Sequence, residues 1–370
     1  MRRIRPRMII AIVAAALFFG FGTAYVSSAE VRYLTRAGLE ETQILEARRP
    51  LTRVLENPAL DPAVRGQLEL VLEVRNAAAG FGLKAGDTYT QYSDVGRDTL
   101  LLVLSASPPN CLCPVTWKYP IVGRVPYKGF FDPKAARSAV AQLDARGLDT
   151  YLRPSGAFST LGWFNDPLLS TALGGDSVEM AALVFHELAH NTLYVKSATP
   201  FNESFAEMVG YRAAEAFFRE RGDSVRAARA ADRWHDELVL AGFYHALTAR
   251  LDSLYASKPD SAALAAGRLE AGRWSREQLE GELGREFRTI QVGRMTDRPV
   301  NNARLIAARI YRTKSALFEA WYQRNGADIR RTVATLGPVV AGVEGDSAFA
   351  RLEAALKAPA PAADSAGSTP

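Results

Sequence analysis

Cysteine and histidine are scarce in this chain, with two and four respectively in 370 residues. Two cysteines exclude a disulfide-stapled scaffold and any zinc site built on thiolates alone. Cys111 and Cys113 also sit too close in sequence for a zinc knuckle, which wants at least about two residues between its thiols. They are either a small disulfide loop that a turn must close or a pair of reduced, partly buried thiols. No repeat period is visible, and no basic patch interleaved with aromatics, so repeat arrays and nucleic-acid binders are set aside.

Acidic residues are missing altogether before Glu30, and the start of the chain accounts for most of the net charge. Of the formal +5, four charges belong to Arg2, Arg3, Arg5 and Arg7; from Glu30 onward 41 basic residues face 40 acidic ones, or +1. The basic composition therefore says nothing about an acidic partner. Behind those arginines Met8 to Val26 is an uncharged, mostly apolar run of nineteen, followed by the small residues Ser27, Ser28 and Ala29. A basic flank before such a run marks a targeting segment, either a cleaved signal peptide or a retained membrane anchor. The arginines stay in the cytoplasm, so the rest of the chain is expected to be exported, periplasmic or anchored to the inner membrane with its catalytic part outside the cytoplasm.

The domain division that follows is residues 1–29 for the targeting segment, 30–357 for one large domain, and 358–370 for a Pro/Ala/Ser-rich tail too polar and small-sided to order itself. Hydrophobic content of 48% and charged content of 23% are those of an ordinary globular core. Val31 to about Gly80 reads helical, broken near Pro58 and Pro62. Thr99 to Leu104 and Trp117 to Tyr127 read as strands. Beyond residue 207 the pattern is almost wholly helical, with helices predicted over Asp223–Ser257, Leu264–Val292 and Asn301–Asn325.

Against this background His186 and His190 stand four apart in an apolar run, and on a helix that spacing stacks both imidazoles on one face. Glu187 lies about 100° round the helix, close enough to reach a metal-bound water without being a ligand. With so few histidines the HExxH pattern arises by chance on the order of 0.3% of the time, before any helical context is asked for. Asp176 with Glu179 supplies a capping pair at the helix start. Twelve residues after His190, Asn202-Glu203-Ser204-Phe205-Ala206-Glu207 opens a second helix behind Thr199 and Pro200, with Glu203 and Glu207 on one face. Three protein ligands plus a water is the pattern of a catalytic zinc.

His186-Glu187-x-x-His190 followed by Asn202-Glu203-x-x-x-Glu207 resembles the gluzincin metallopeptidases. The resemblance implies one Zn²⁺ on His186, His190 and Glu203, with Glu187 as general base and Glu207 orienting a ligand imidazole. The connection from His190 is short, and Glu207 replaces the Asp of the thermolysin-type pattern, so Glu207 is also weighed as the third ligand. The Pro/Gly/aromatic-rich segments Cys111–Asp132 and Ser155–Thr171, upstream of the motif, are similar to those of a bacterial family described as putative or predicted aminopeptidases. That likeness runs from about Arg32 to Arg351. Many members of that family carry a lipobox cysteine, and this chain has none before Cys111.

The implied architecture is α+β and predominantly helical: a zincin-like fold with a small N-terminal sheet, the HExxH active-site helix and a helical C-terminal half. The implied activity is an exported zinc metallopeptidase acting on a peptide substrate, with an aminopeptidase ahead of an envelope endopeptidase or an inactive zinc-binding scaffold. An edge strand beside the metal helix pairs with extended substrate, and Tyr119, Val122, Gly123 and Val125 are the candidates, since Pro120 and Pro126 suit an edge. Tyr311 is the candidate oxyanion donor, with Tyr194, Tyr211 and His245 as competitors. Asp132 and Asp166 are the candidates for binding a substrate's free amino group. His235 and His245 are read as packed or exposed side chains and not as ligands.

Overall fold

The computed structural model of the chain describes residues 6–119, 123–155, 167–296 and 298–359. Helix α1 (Pro6–Ser27) carries the apolar run and leaves Phe18, Phe19, Phe21 and Val26 exposed. Among the described residues no helix is long and apolar enough to cross a membrane. Ser28 starts α2 (Ala29–Glu46) by accepting from the Val31 N–H, the ordinary N-cap bond. This second helix is tied down by Lys128 to Glu30 at 3.0 Å, Arg97 to Glu40 at 2.7 Å and the edge-on rings of Tyr33 and Phe130.

Next come β1 (Arg49–Pro50), α3 (Leu51–Leu55) and α4 (Pro62–Ala77), the last started by Asp61 as N-cap and Pro62 in its first turn. Strands β2 (Gln91–Ser93), β3 (Leu101–Ser107), β4 (Trp117–Tyr119), β5 (Gly123–Val125) and β6 (Lys128–Phe130) precede α5 (Pro133–Asp144). After it lie β7 (Asp149–Ser155) and β8 (Leu168–Leu169). Instead of the one sheet expected, the described strands divide into three: β1-β2-β8, antiparallel then parallel; β6-β3-β7, antiparallel throughout; and the ribbon β4-β5. Prolines at 50, 108, 109, 114, 120, 126 and 133 lack the N–H that a longer ladder needs.

The remainder is helical: α6 (Ser177–Thr192), α7 (Thr199–Glu220), α8 (Ser224–Ala256), α9 (Ser261–Glu280), α10 (Glu282–Glu286), α11 (Gly293–Thr296), α12 (Asn302–Ile310), α13 (Ser315–Arg324), α14 (Ile329–Val339) and α15 (Ser347–Lys357). The molecule is thus mostly helical with small sheets, an α+β architecture. Two expected helices are shorter than their patterns. Leu264–Val292 stops at Gly281, and Asn301–Asn325 breaks after Ile310, with Lys314 in the left-handed region at φ +54°.

The principal core is built around α6 and α7. Phe185, Phe205, Met208 and Phe217 are fully buried there, with Phe185 edge-on to Phe81 and Phe217, and Phe201 packed on Phe318 and Phe349. Each such side chain contributes on the order of 2–3 kcal/mol of transfer free energy, so this helix pair is the best anchored part of the fold. Cys111 and Cys113 form a disulfide, with Cα atoms 5.3 Å apart across a turn. The Ser107 hydroxyl bonds to both of their carbonyls at 3.0 Å, and the Asn302 side chain donates to the carbonyl of Cys111.

Candidate metal centre

Three devices bring the histidines and acids together. Asp176 caps α6 by accepting from the N–H groups of Val178 and Glu179, and Arg229 and Arg233 of α8 pin that end through Asp176 and Glu179. The turn between α6 and α7 is braced by buried Asn202, whose amide donates to Val195 O at 2.8 Å and accepts from Val195 N at 2.9 Å. Finally, α7 crosses α6 at Gly210. A Cβ there would lie 2.8 Å from the carbonyl oxygen of Ala182 and 3.4 Å from His186 Cβ. Only a residue without a side chain permits that approach, and Glu203, Glu207 and Gly210 share one face of α7 at spacings of four and three.

The outcome is a tight cluster. One ligand atom each from His186, His190 and Glu203 lies within 4.8 Å of the others. His186 Nε2 and His190 Nε2 are 3.2 Å apart, His186 Nε2 and Glu203 Oε2 3.4 Å, and His190 Nε2 and Glu203 Oε1 3.8 Å. Bonds of about 2.0–2.1 Å to a tetrahedral ion place neighbouring donors roughly 3.3–3.4 Å apart. The three separations bracket that value.

The hydrogen-bond chemistry points the same way. His186 Nδ1 is 3.2 Å from Glu207 Oε2, which assigns its hydrogen to Nδ1 and leaves the Nε2 lone pair facing inward. His190 Nδ1 is shielded from solvent and has no partner among the described residues. With His186 neutral, two imidazole lone pairs and a carboxylate therefore converge with no hydrogen-bond donor between them, a set of acceptors that suits a cation. The cluster answers by holding a proton. Burial alone would lower the His186 pKa, but Glu203 and Glu207 outweigh it and push it up to about 10. Burial, with His186 alongside, takes His190 down to about 4. Glu203, despite burial, is held below the usual carboxylate range by the two imidazoles.

Tyr311 is the other predicted residue brought to this spot. It is the C-cap of α12, its ring centroid 6.3 Å from that of His186. Burial and the carboxylates of Glu203, Glu207 and Glu187, opposed by Arg153, push its hydroxyl up to about 12. It is therefore a hydrogen-bond donor at any physiological pH. Its competitors stand elsewhere: Tyr194 is 67% exposed, and His245 is exposed on α8. Buried Tyr211 sits behind the site, beside Glu207, Glu179 and Glu237, its pKa raised by burial and by those acids. His235 binds the Glu286 carbonyl at 3.1 Å.

The substrate-binding candidates are not brought to the metal residues in the same way. Tyr119, Gly123 and Val125 lie in the β4-β5 ribbon, which pairs Trp117 with Val125 and Tyr119 with Gly123 and joins neither larger sheet; Val122 lies outside the described residues. Strand β7 bears on the site through the charge of Arg153, which acts on the Tyr311 hydroxyl. Asp132 caps α5, accepting from Lys134 N at 2.9 Å, and Asp166 lies outside the described residues.

Residues that composition and spacing did not single out also crowd the site. Glu237 of α8 forms a two-pronged pair with Arg312, at 2.6 and 2.9 Å, and that pair fixes the chain just past Tyr311. A lone acid in a long charged helix looks like any solvated Glu, so nothing in the sequence marks it.

No curated protein and no solved structure shows a significant match to this chain. A family profile does, over residues 32–341, which takes in every residue of the metal cluster together with Tyr311. By that match, across most of its length, the chain belongs to the family described as "Putative aminopeptidase".

Proposed function

We propose that this protein is an exported zinc-dependent metallopeptidase of gluzincin type with a zincin-like fold, releasing residues from the N-terminus of peptides. The observation that carries the reading is the convergence of three metal-ligand atoms, His186 Nε2, His190 Nε2 and a Glu203 carboxylate oxygen, on one point, all of them acceptors once His186 gives up its proton. Family membership supports peptidase activity, and the basic flank before the apolar N-terminal run supports export. Nitrogen and oxygen donors in a three-residue set are those of a catalytic zinc, which keeps a position open.

In this reading His186, His190 and Glu203 hold the ion, and Glu207 fixes the His186 ring through Nδ1. Zinc, when bound, acidifies water and polarises a carbonyl. Glu187 accepts the proton of the attacking water and delivers it to the leaving amine, which fits its place on α6 between the two histidines. The Tyr311 hydroxyl donates to the oxyanion that develops on the scissile carbonyl. The buried Glu237–Arg312 pair keeps that hydroxyl from drifting.

The test combines metal analysis with hydrolysis. The purified protein is expected to hold one zinc, to lose it and its peptidase activity together on chelation, and to regain both with added zinc. Cleavage of peptides with free amino termini, but not of their N-acetylated forms, marks an aminopeptidase; equal cleavage of both marks an endopeptidase. A protein that binds no divalent metal and cleaves neither set refutes the proposal.

A further inference from the structure

Other half-buried arginines of this protein have partners: Arg97, Arg212, Arg233, Arg268 and Arg312 pair with carboxylates, and Arg48, Arg65, Arg75 and Arg324 donate to backbone carbonyls. Arg153 and Arg304 are different. Both are half-buried, and among the described residues neither has a carboxylate or hydrogen-bond partner. Arg304 Nε is shut off from solvent with no acceptor. The Nε of Arg97, Arg233 and Arg312 is equally shut off, but those side chains have carboxylates and Arg304 has only the Tyr151 ring, so its charge is open to an anion from outside.

Their placement says where that anion sits. The starts of α12 and β7 are bolted together, since Asn302 N donates to Asp149 at 2.7 Å and the Asn301 side chain donates to Thr150 O at 2.9 Å. From there the two run side by side at matched pace. Four strand residues from 149 to 153 advance about 13 Å, and nine helical residues from 302 to 311 advance about 13.5 Å. The pairing along the way agrees: the Arg304 guanidinium lies 5.5 Å from the Tyr151 ring centroid, and the Arg153 charge reaches the Tyr311 hydroxyl. Tyr151 and Arg153 share a strand face, and Arg304 and Tyr311, seven apart, share a helix face. Two cations with no carboxylate partner among the described residues therefore lie along the β7–α12 seam, a track that runs roughly 10 Å from Tyr311.

We propose that Arg153 and Arg304 form a carboxylate subsite that holds a peptide by its C-terminal carboxylate, or by an acidic side chain, a few residues from the bond being cut. An extended peptide covers about 3.3 Å per residue, so the track spans roughly two to three residues. A C-terminal carboxylate bound there makes short oligopeptides the substrate class; an acidic side chain makes it acidic peptides of any length. The proposal rests on the peptidase reading above.

The test uses the zinc-loaded full chain and three forms of one tetrapeptide: free acid, C-terminal amide, and amide with Glu in place of the last residue. A charge-assisted pair is worth about ten- to a hundredfold in kcat/KM. We expect that preference for the acid over the plain amide, and expect it to fall towards one in both Arg304→Gln and Arg153→Gln while Arg304→Lys keeps part of it. Preference for the Glu amide over the plain amide, lost in the same variants, assigns the subsite to acidic side chains. Equal cleavage of all three forms by the wild type, or a preference that both glutamine variants retain, overturns the subsite. Calorimetric binding of the same peptides to Glu187→Gln separates the two readings. If nothing is cleaved yet the acid form binds tighter, and this difference needs Arg304, the subsite stands and the peptidase reading falls. Equal binding of all forms removes the subsite.

Discussion

Zinc binding by this protein should be a proton exchange, with a size fixed by the geometry of the cluster. In the metal-free site the carboxylates of Glu203 and Glu207 overcome the desolvation of His186 and raise its pKa to about 10, while burial and that neighbouring charge depress His190 to about 4. Between those values the histidine pair carries one proton, on His186. A cation needs both Nε2 lone pairs, so at neutral pH each ion bound must release about one proton. The sign follows directly: a raised pKa means the competing proton is present below about 10, so affinity falls as pH falls. It should fall about tenfold per pH unit, or about 1.4 kcal/mol. Near and below pH 4 His190 is protonated as well, and the slope steepens towards two. Competition with a chromophoric chelator at pH 6, 7 and 8, corrected for the chelator's own protonation, should show about a hundredfold loss across the range. Calorimetry in buffers of different ionisation enthalpy counts the released protons. Removing the Glu207 charge in Glu207→Gln should reduce the release, because one source of the raised His186 pKa is gone, and weaken zinc by about ten- to a hundredfold. Zinc affinity that is flat from pH 6 to 8, with no proton released, would mean both imidazoles are already neutral and would falsify the raised His186 pKa from which the proton exchange is derived.

Three further outcomes test the site piece by piece. Glu187→Gln should keep zinc at full stoichiometry and lose about 10²–10⁴-fold in kcat, whereas His186→Ala should lose metal and activity together; wild-type rates in the first variant would remove Glu187 as the base. Tyr311→Phe should keep zinc and lose about 10²–10³-fold in kcat with little change in KM, and a loss confined to KM would make Tyr311 a binding residue only. Gly210→Ala puts a Cβ 2.8 Å from the backbone oxygen of Ala182, so the helices must part; denaturant titration should show about 1–3 kcal/mol of destabilisation, and zinc affinity should drop with it. An unchanged midpoint and affinity would show that α6 and α7 do not need their close crossing.

Much of the cluster was legible because it obeys local rules. The i, i+4 spacing of His186 and His190 and of Glu203 and Glu207 fixes each pair on a helix face, and Asp176, Thr199 and Pro200 mark where those helices begin. The cysteines were ambiguous because a turn between alternate residues leaves no signal in a two-residue spacing, and the structure resolves it as a disulfide. The helix expected over Asn301–Asn325 hid a break, since no proline or glycine marks it. Lys314 adopts a left-handed conformation there while the Arg312–Glu237 pair holds the preceding turn.

By itself the sequence determined which side chains can bind a metal, because helical periodicity is a property of neighbours along the chain. Tertiary structure alone decided that α7 crosses α6 at Gly210, that Tyr311 ends a helix beside His186, and that Arg153 and Arg304 line up from opposite elements. These depend on residues 24 to 158 positions apart meeting across packed surfaces, and no local pattern encodes which surfaces meet. Side chains four residues apart face one another whatever the fold does; those far apart meet only once the core has closed around them.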